Sequence, residues 1–197
     1  GVEYIEVRCT DLNPFLPVGI DVAQAAFTDL FLCYCLLQPS PEILTGDFDR
    51  IKSNLSATVM RGREPGLQLD DGEQQRSLQE WGMSLLDEME PLARLLDQAN
   101  HHCFHVDSLN QQRLKLADSR LTPSARVLDQ LIEKQQEFSE MTLELAMQHR
   151  KTLSQPLGSE VITRLKELAS QSLQQQQAME AASHGSFDDF LAHYLQR

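Results

Sequence analysis

From Val22 onward the apolar positions of this chain recur at three- and four-residue intervals, whereas over the opening octet, Gly1 to Arg8, they alternate. The two periods predict different elements: spacing near 3.6 residues puts apolar side chains on one helix face, and strict alternation puts them on one strand face. The chain therefore reads as a β-strand at Gly1–Arg8 followed by helices. In that strand Tyr4, Glu6 and Arg8 share one face and Ile5 and Val7 the other. Each strand N–H and C=O needs a ladder partner. No second strand stands out downstream, so the partners are expected from another chain or from a segment preceding Gly1, where no initiator Met stands.

The connection from Thr10 to Ile20 carries Asn13-Pro14, Pro17 and Gly19, which force a turning path. Asp21 is placed to cap a helix from Val22 to about Gln38, whose nearly continuous apolar run predicts burial on most sides. Pro39 and Pro41 end it. A shorter helix follows from Asp47, its expected N-cap, to about Met60. The polar stretch Asp70–Arg76 reads as mobile. A long amphipathic helix is expected from Ser77 towards Ala99, with a kink or restart at Pro91. Thr122-Pro123 pairs an N-cap residue with proline at the first helical position, opening a helix from Ser124 to about Leu153 that breaks near Gln135–Ser139. Pro156 and Gly158 precede a helix over about Glu160–Ala182. Ser186 caps a terminal helix whose Phe187, Phe190, Leu191 and Tyr194 form an apolar docking face.

Composition narrows the functional classes. With 41% apolar residues among 197, the chain can build a real core. Its 29 acidic against 17 basic residues give a net charge of −12, which disfavours nucleic acid and anionic membrane surfaces. No apolar run reaches the roughly 18 residues that span a bilayer. Cys9, Cys33, Cys35 and Cys103 have neither disulfide-framework nor zinc spacing, which predicts buried thiols in a reducing cytoplasm. His101-His102-Cys103-Phe104-His105 is read as a helix-boundary turn rather than a metal site, because no second ligand cluster has matching spacing.

Candidate chemistry falls at three places. Glu6 and Arg8, two residues apart on one strand face, combine a carboxylate that can hold Mg2+ with a guanidinium that can neutralise phosphoryl charge. The loop Arg61-Gly62-Arg63-Glu64-Pro65-Gly66-Leu67 sets two arginines beside glycines that let backbone donors approach an anion, although a solvated turn fits equally. Arg126 lies in the first turn of its helix, where a cation opposes the dipole, which calls for a carboxylate or ligand partner unless the side chain faces solvent.

The octet, followed by Asp11-Leu12-Asn13-Pro14-Phe15 and Pro17-Val18-Gly19-Ile20-Asp21, resembles the C-terminal third of bacterial glutamate-cysteine ligase. The resemblance continues in order through Phe27-Thr28-Asp29-Leu30-Phe31, the arginine loop, and Leu121-Thr122-Pro123-Ser124-Ala125-Arg126-Val127-Leu128. It implies a mainly α chain: residues 1–20 as an active-site strand with its connection, belonging to the sheet of a larger glutamine synthetase-like α+β ligase, and residues 21–197 as a helical C-terminal lobe. It further implies a cytoplasmic enzyme that uses ATP to activate the glutamate side-chain carboxylate as an acyl phosphate for attack by the cysteine amine. Glu6 would be one metal-binding carboxylate, for Mg2+, and Arg8 would contact the transferred phosphate. No role follows for Arg61, Arg63 or Arg126. A full enzyme would carry a longer N-terminal segment supplying the other metal ligands and the glutamate pocket, so the chain alone is expected to be inactive. The other reading is a non-catalytic helical module that recruits a partner through its unpaired strand.

Overall fold

A computed structural model describes residues 3–8, 10–183 and 185–196. The chain divides into two compact units, Gly1–Leu153 and Ser154–Arg197. The fold is mainly α, as the hydrophobic pattern predicts.

The first unit is organised by three helices: α1 (Val22–Leu37), α3 (Leu78–Asn100) and α4 (Phe104–Ala117), with α2 (Thr45–Arg61) lying between α1 and α3 in sequence. Leu30 and Tyr34 from α1, Leu86, Met89 and Ala93 from α3, and Leu109 from α4 form the buried core, ringed by Phe27, Leu85, Leu92, Leu96, Val106 and Leu116. A fully buried aliphatic side chain contributes about 1.5–3 kcal/mol, so these residues fix the three-helix packing. Helices α3 and α4 approach closely at Gly82, where a methyl group would stand 2.8 Å from Leu116 Cδ1. Arg113 of α4 pairs with Asp87 and Glu90 of α3 at 2.5 and 2.9 Å. Tyr34 donates its hydroxyl to Glu88, and that bond, with burial, pushes the phenol pKa up to about 12.

Asp21 caps α1 as expected, its side chain accepting from the Gln24 amide at 2.8 Å. The helix is buried on one side only, however: Leu36 and Leu37 are largely exposed, because α3 and α4 cover one face and nothing else among the described residues covers the other. In α2 the N-cap is Leu44, and Asp47 sits at the third helical position with its carboxylate accepting from the Leu44 amide at 2.9 Å. The cap thus works through the far end of a capping box rather than at the cap itself.

The stretch expected to be mobile is a hairpin. Strands β1 (Gln68–Asp70) and β2 (Gln75–Ser77) pair antiparallel, with Asp70 opposite Gln75. Asp71 closes the turn by accepting from the Glu73 and Gln74 amides at 2.9 and 2.8 Å, so its polarity serves the turn. Asn54 of α2 brackets Asp70, accepting from its amide at 3.0 Å and donating to its carbonyl at 2.6 Å. Among the described residues this hairpin is the one strand ladder. Residues 3–8 of the expected N-terminal strand have no ladder partner, and Gly1 and Val2 lie outside the described residues.

Helix α3 runs unbroken through Pro91 from its Ser77 N-cap and ends at His101, whose φ of 56° is left-handed. Three residues later α4 begins, a helix that the sequence pattern did not single out. After the single turn Ser119–Leu121, Thr122 caps α5 (Pro123–Lys134), and Gln135, at φ 51°, breaks the chain before α6 (Phe138–Leu153), where the sequence predicts the break. The second unit holds α7 (Ser159–Ala182) and α8 (Phe187–Tyr194), the latter capped by Ser186 and stacking Phe190 on Tyr194.

Of the cysteines expected to be buried, Cys35 and Cys103 are exposed and Cys33 is half-buried, all as free thiols. Cys35 lies on the uncovered side of α1, and Cys103 lies in the exposed turn before α4. Cys9 lies outside the described residues. Among the described residues no helix is long and apolar enough to cross a membrane.

Candidate active-site groove

The connection from Thr10 to Ile20 is folded tightly upon itself. The Asn13 amide donates to Gly19 O at 2.8 Å, Gly19 N to Leu16 O at 3.1 Å, and Asn13 Oδ1 accepts from the Phe15 amide at 3.1 Å. Gly19, at φ +77°, supplies the left-handed residue that lets the loop close. Two side chains from distant elements hold this loop. His149 of α6 hydrogen-bonds the Pro14 carbonyl through Nε2 at 2.9 Å, and Arg126 of α5 places its guanidinium 4.3 Å from the centre of the Phe15 ring. The partner of Arg126 is therefore an aromatic face, neither a carboxylate nor solvent alone. Its position in the first turn of α5 is explained by that cation–π contact.

The loop forms one wall of a groove of about 1460 Å³ whose other walls come from α1, α4, α5 and α6. Most of the lining is apolar, including Leu12, Leu16, Phe27, Phe31, Val127, Leu128 and Leu145. Its polar members include Glu6, Arg8, Arg63, Gln112, Lys115, Ser124, Thr142 and His149. Glu6 and Arg8, predicted to share a face, do meet: Arg8 Nη2 donates to Glu6 Oε2 at 2.9 Å, and both side chains are open to solvent. An ion pair this exposed contributes little to stability, so folding does not account for the pair.

Arg63 and Lys115 stand where this groove adjoins a second cavity of about 650 Å³, which both residues also line together with Phe27, Phe31 and Gln112. Lys115 donates to Gln112 Oε1 at 3.3 Å. Arg63 has no side-chain partner among the described residues, whereas Arg61 pairs with Glu64 at 3.4 Å. The two arginines of the loop thus separate in function: one closes the turn, and the other keeps its donors open beside an apolar recess, where a cation attracts an anion more strongly than in bulk water. Lys115 carries no motif that the sequence could flag. Its place in the groove follows from α4.

Mg2+ demands near-octahedral oxygen coordination. Among the described residues Glu6 belongs to no cluster able to enclose a metal ion, and its carboxylate is engaged by Arg8. The chain by itself does not fit a complete Mg2+ site.

A family model described as glutamate-cysteine ligase matches residues 1–58. Over 195 residues, 98% of its length, the chain is 41% identical to a glutamate-cysteine ligase of Pseudomonas fluorescens and 42% identical to that of Pseudomonas aeruginosa. In each case the match covers 37% of the relative. A crystal structure of the glutamate-cysteine ligase of Francisella tularensis in complex with AMP superimposes with a TM-score of 0.71 at 28% identity, over the whole of this chain and 39% of that one.

Proposed function

Since the chain is similar along nearly its entire length to part of glutamate-cysteine ligases, and spans 37% of the curated relatives it matches, we propose that it is the C-terminal part of such a ligase. The complete enzyme would be cytoplasmic and catalyse the first step of glutathione biosynthesis. In that reaction a glutamate γ-carboxylate oxygen attacks the γ-phosphorus of ATP, giving an acyl phosphate and ADP. The cysteine amine then attacks the acyl carbon, forms the amide and expels phosphate.

Within this scheme residues 1–20 form the active-site strand and its connection, and residues 21–197 the helical lobe. Arg8 sets its guanidinium against the phosphoryl group in transfer, where the developing charge is greatest. Glu6 would offer one oxygen to a Mg2+ whose other ligands would come from outside this chain, and an ion held there would supply neutralisation of polyphosphate charge. The observation that supports the reading best is the Glu6–Arg8 pair, exposed at the edge of a groove and needed by nothing in the fold.

The test is ATP hydrolysis dependent on both glutamate and cysteine, assayed for this chain and for the same chain extended upstream of Gly1. Activity confined to the extended chain, and lost in Glu6→Gln and Arg8→Ala, is the expected result. A folded extended chain without activity would overturn it.

A further inference from the structure

Outside the groove, the densest meeting of titratable side chains lies at the turn between α3 and α4. Asp97 Oδ1 is approached by three nitrogens: the His105 amide at 3.0 Å, His105 Nδ1 at 2.8 Å and His102 Nδ1 at 2.9 Å. The other oxygen, Oδ2, accepts from the Val106 amide at 3.0 Å. One carboxylate oxygen offers about two lone-pair directions, so Oδ1 has one nitrogen too many for hydrogen bonding alone. Asp97 and His105 are buried, and His102 is half-buried.

We propose that Asp97, His102 and His105 form a Zn2+ site that staples the α3–α4 turn. With the ion among them, both rings turn lone pairs instead of protons towards the centre. Asp97 Oδ1 then gives one lone pair to the metal and keeps the other for the His105 amide. Each neutral ring then carries its one proton on Nε2, away from the metal. Zinc bonds of about 2.0–2.1 Å set tetrahedral ligand atoms about 3.3 Å apart. The two carboxylate–histidine separations, 2.8 and 2.9 Å, therefore open by a few tenths of an ångström, and His102 lies on the turn between the helices. Water takes the fourth position on its exposed side. Two imidazoles and a carboxylate suit zinc, whereas Mg2+ and Ca2+ favour oxygen shells.

The far side of His105 supports the assignment independently. Its Nε2 stands 3.3 Å from Asp29 Oδ2 of α1. A ligating histidine whose other ring nitrogen donates to a carboxylate has its tautomer and orientation fixed for metal binding. The site thus joins α1, α3 and α4, the helices that share the core. It is independent of the ligase reading.

The experiment is titration of the chelator-stripped chain with Zn2+ against a chromophoric indicator, with thermal unfolding followed in parallel. One equivalent is expected to bind and to raise the melting temperature. His102→Ala, at a half-buried position on the turn, is expected to keep the parent's circular dichroism spectrum, to weaken binding more than about tenfold and to abolish the thermal shift. His101→Ala, next in sequence but outside the cluster, is expected to change neither. Co2+ in place of Zn2+ is expected to give the visible absorption of a four-coordinate site in the parent chain and not in His102→Ala. Absence of stoichiometric binding, or parental affinity in His102→Ala, would overturn the proposal.

Discussion

His149 donates from Nε2 to the carbonyl oxygen of Pro14 across 2.9 Å, so a residue late in α6 holds the loop that carries Glu6 and Arg8 towards the helices. The contact spans 135 positions of sequence. Removing it in His149→Ala is expected to lower stability by about 1 kcal/mol. Hydrogen exchange should rise at the Asn13 and Gly19 amides, while the core amides of α3 keep their protection.

Gly19 is expected to tolerate no side chain. At φ +77° an L-residue carries a strain of about 1–2 kcal/mol, and an added Cβ would stand 2.7 Å from Leu12 Cδ2. Leu12 is exposed and can swing away, so backbone strain is the larger part. Denaturant titration of Gly19→Ala should show a loss of about that size, with an unchanged slope.

Tyr34 should be slow to ionise. Its pKa is raised from 10.0 to about 12 by the hydrogen bond to Glu88 and then by burial. A raised folded-state value means that the stabilisation is complete below the unfolded pKa near 10. It drains away as the pH climbs through 12. Phenolate absorbance against pH should contain a late component that Tyr34→Phe deletes, and Tyr34→Phe should lose less stability than the parent over that alkaline range.

Leu30 has no exposed surface and sits where α1 meets α3 and α4. Leu30→Ala is expected to cost about 2–5 kcal/mol, because the cavity is walled by three helices and closes poorly. Thermal unfolding measures it.

Much of this was legible in the residues because local chemistry decided it. Asp21, Thr122 and Ser186 cap the helices that they were expected to cap, and the break after Lys134 falls where polar Gln135 takes a left-handed turn. Helix α4 escaped notice because its apolar residues do not gather into a clear stripe: Leu109 faces the core while Leu114 is exposed. The hairpin escaped because Asp70 to Arg76 is polar throughout, and its order comes from side-chain acceptors rather than from burial. Glu6 and Arg8 were visible from their spacing. Lys115 and the ring beneath Arg126 were not, since long-range packing brings both to the groove. The same holds for Asp97, which reaches the two histidines from the last turns of α3 and forms no short motif with them.

Asn54 offers Asp70 one acceptor and one donor, as the peptide group of a neighbouring strand would. The ribbon of β1 and β2 is thereby capped on its outer side at Asp70, a residue that turns both its backbone groups outward, by a single side chain from a helix. A third strand arriving along that side would find those groups taken and would have to displace α2 to reach them. Growth of the ribbon by recruitment, into a wider sheet or a chain of copies, is opposed at Asp70 by one carboxamide.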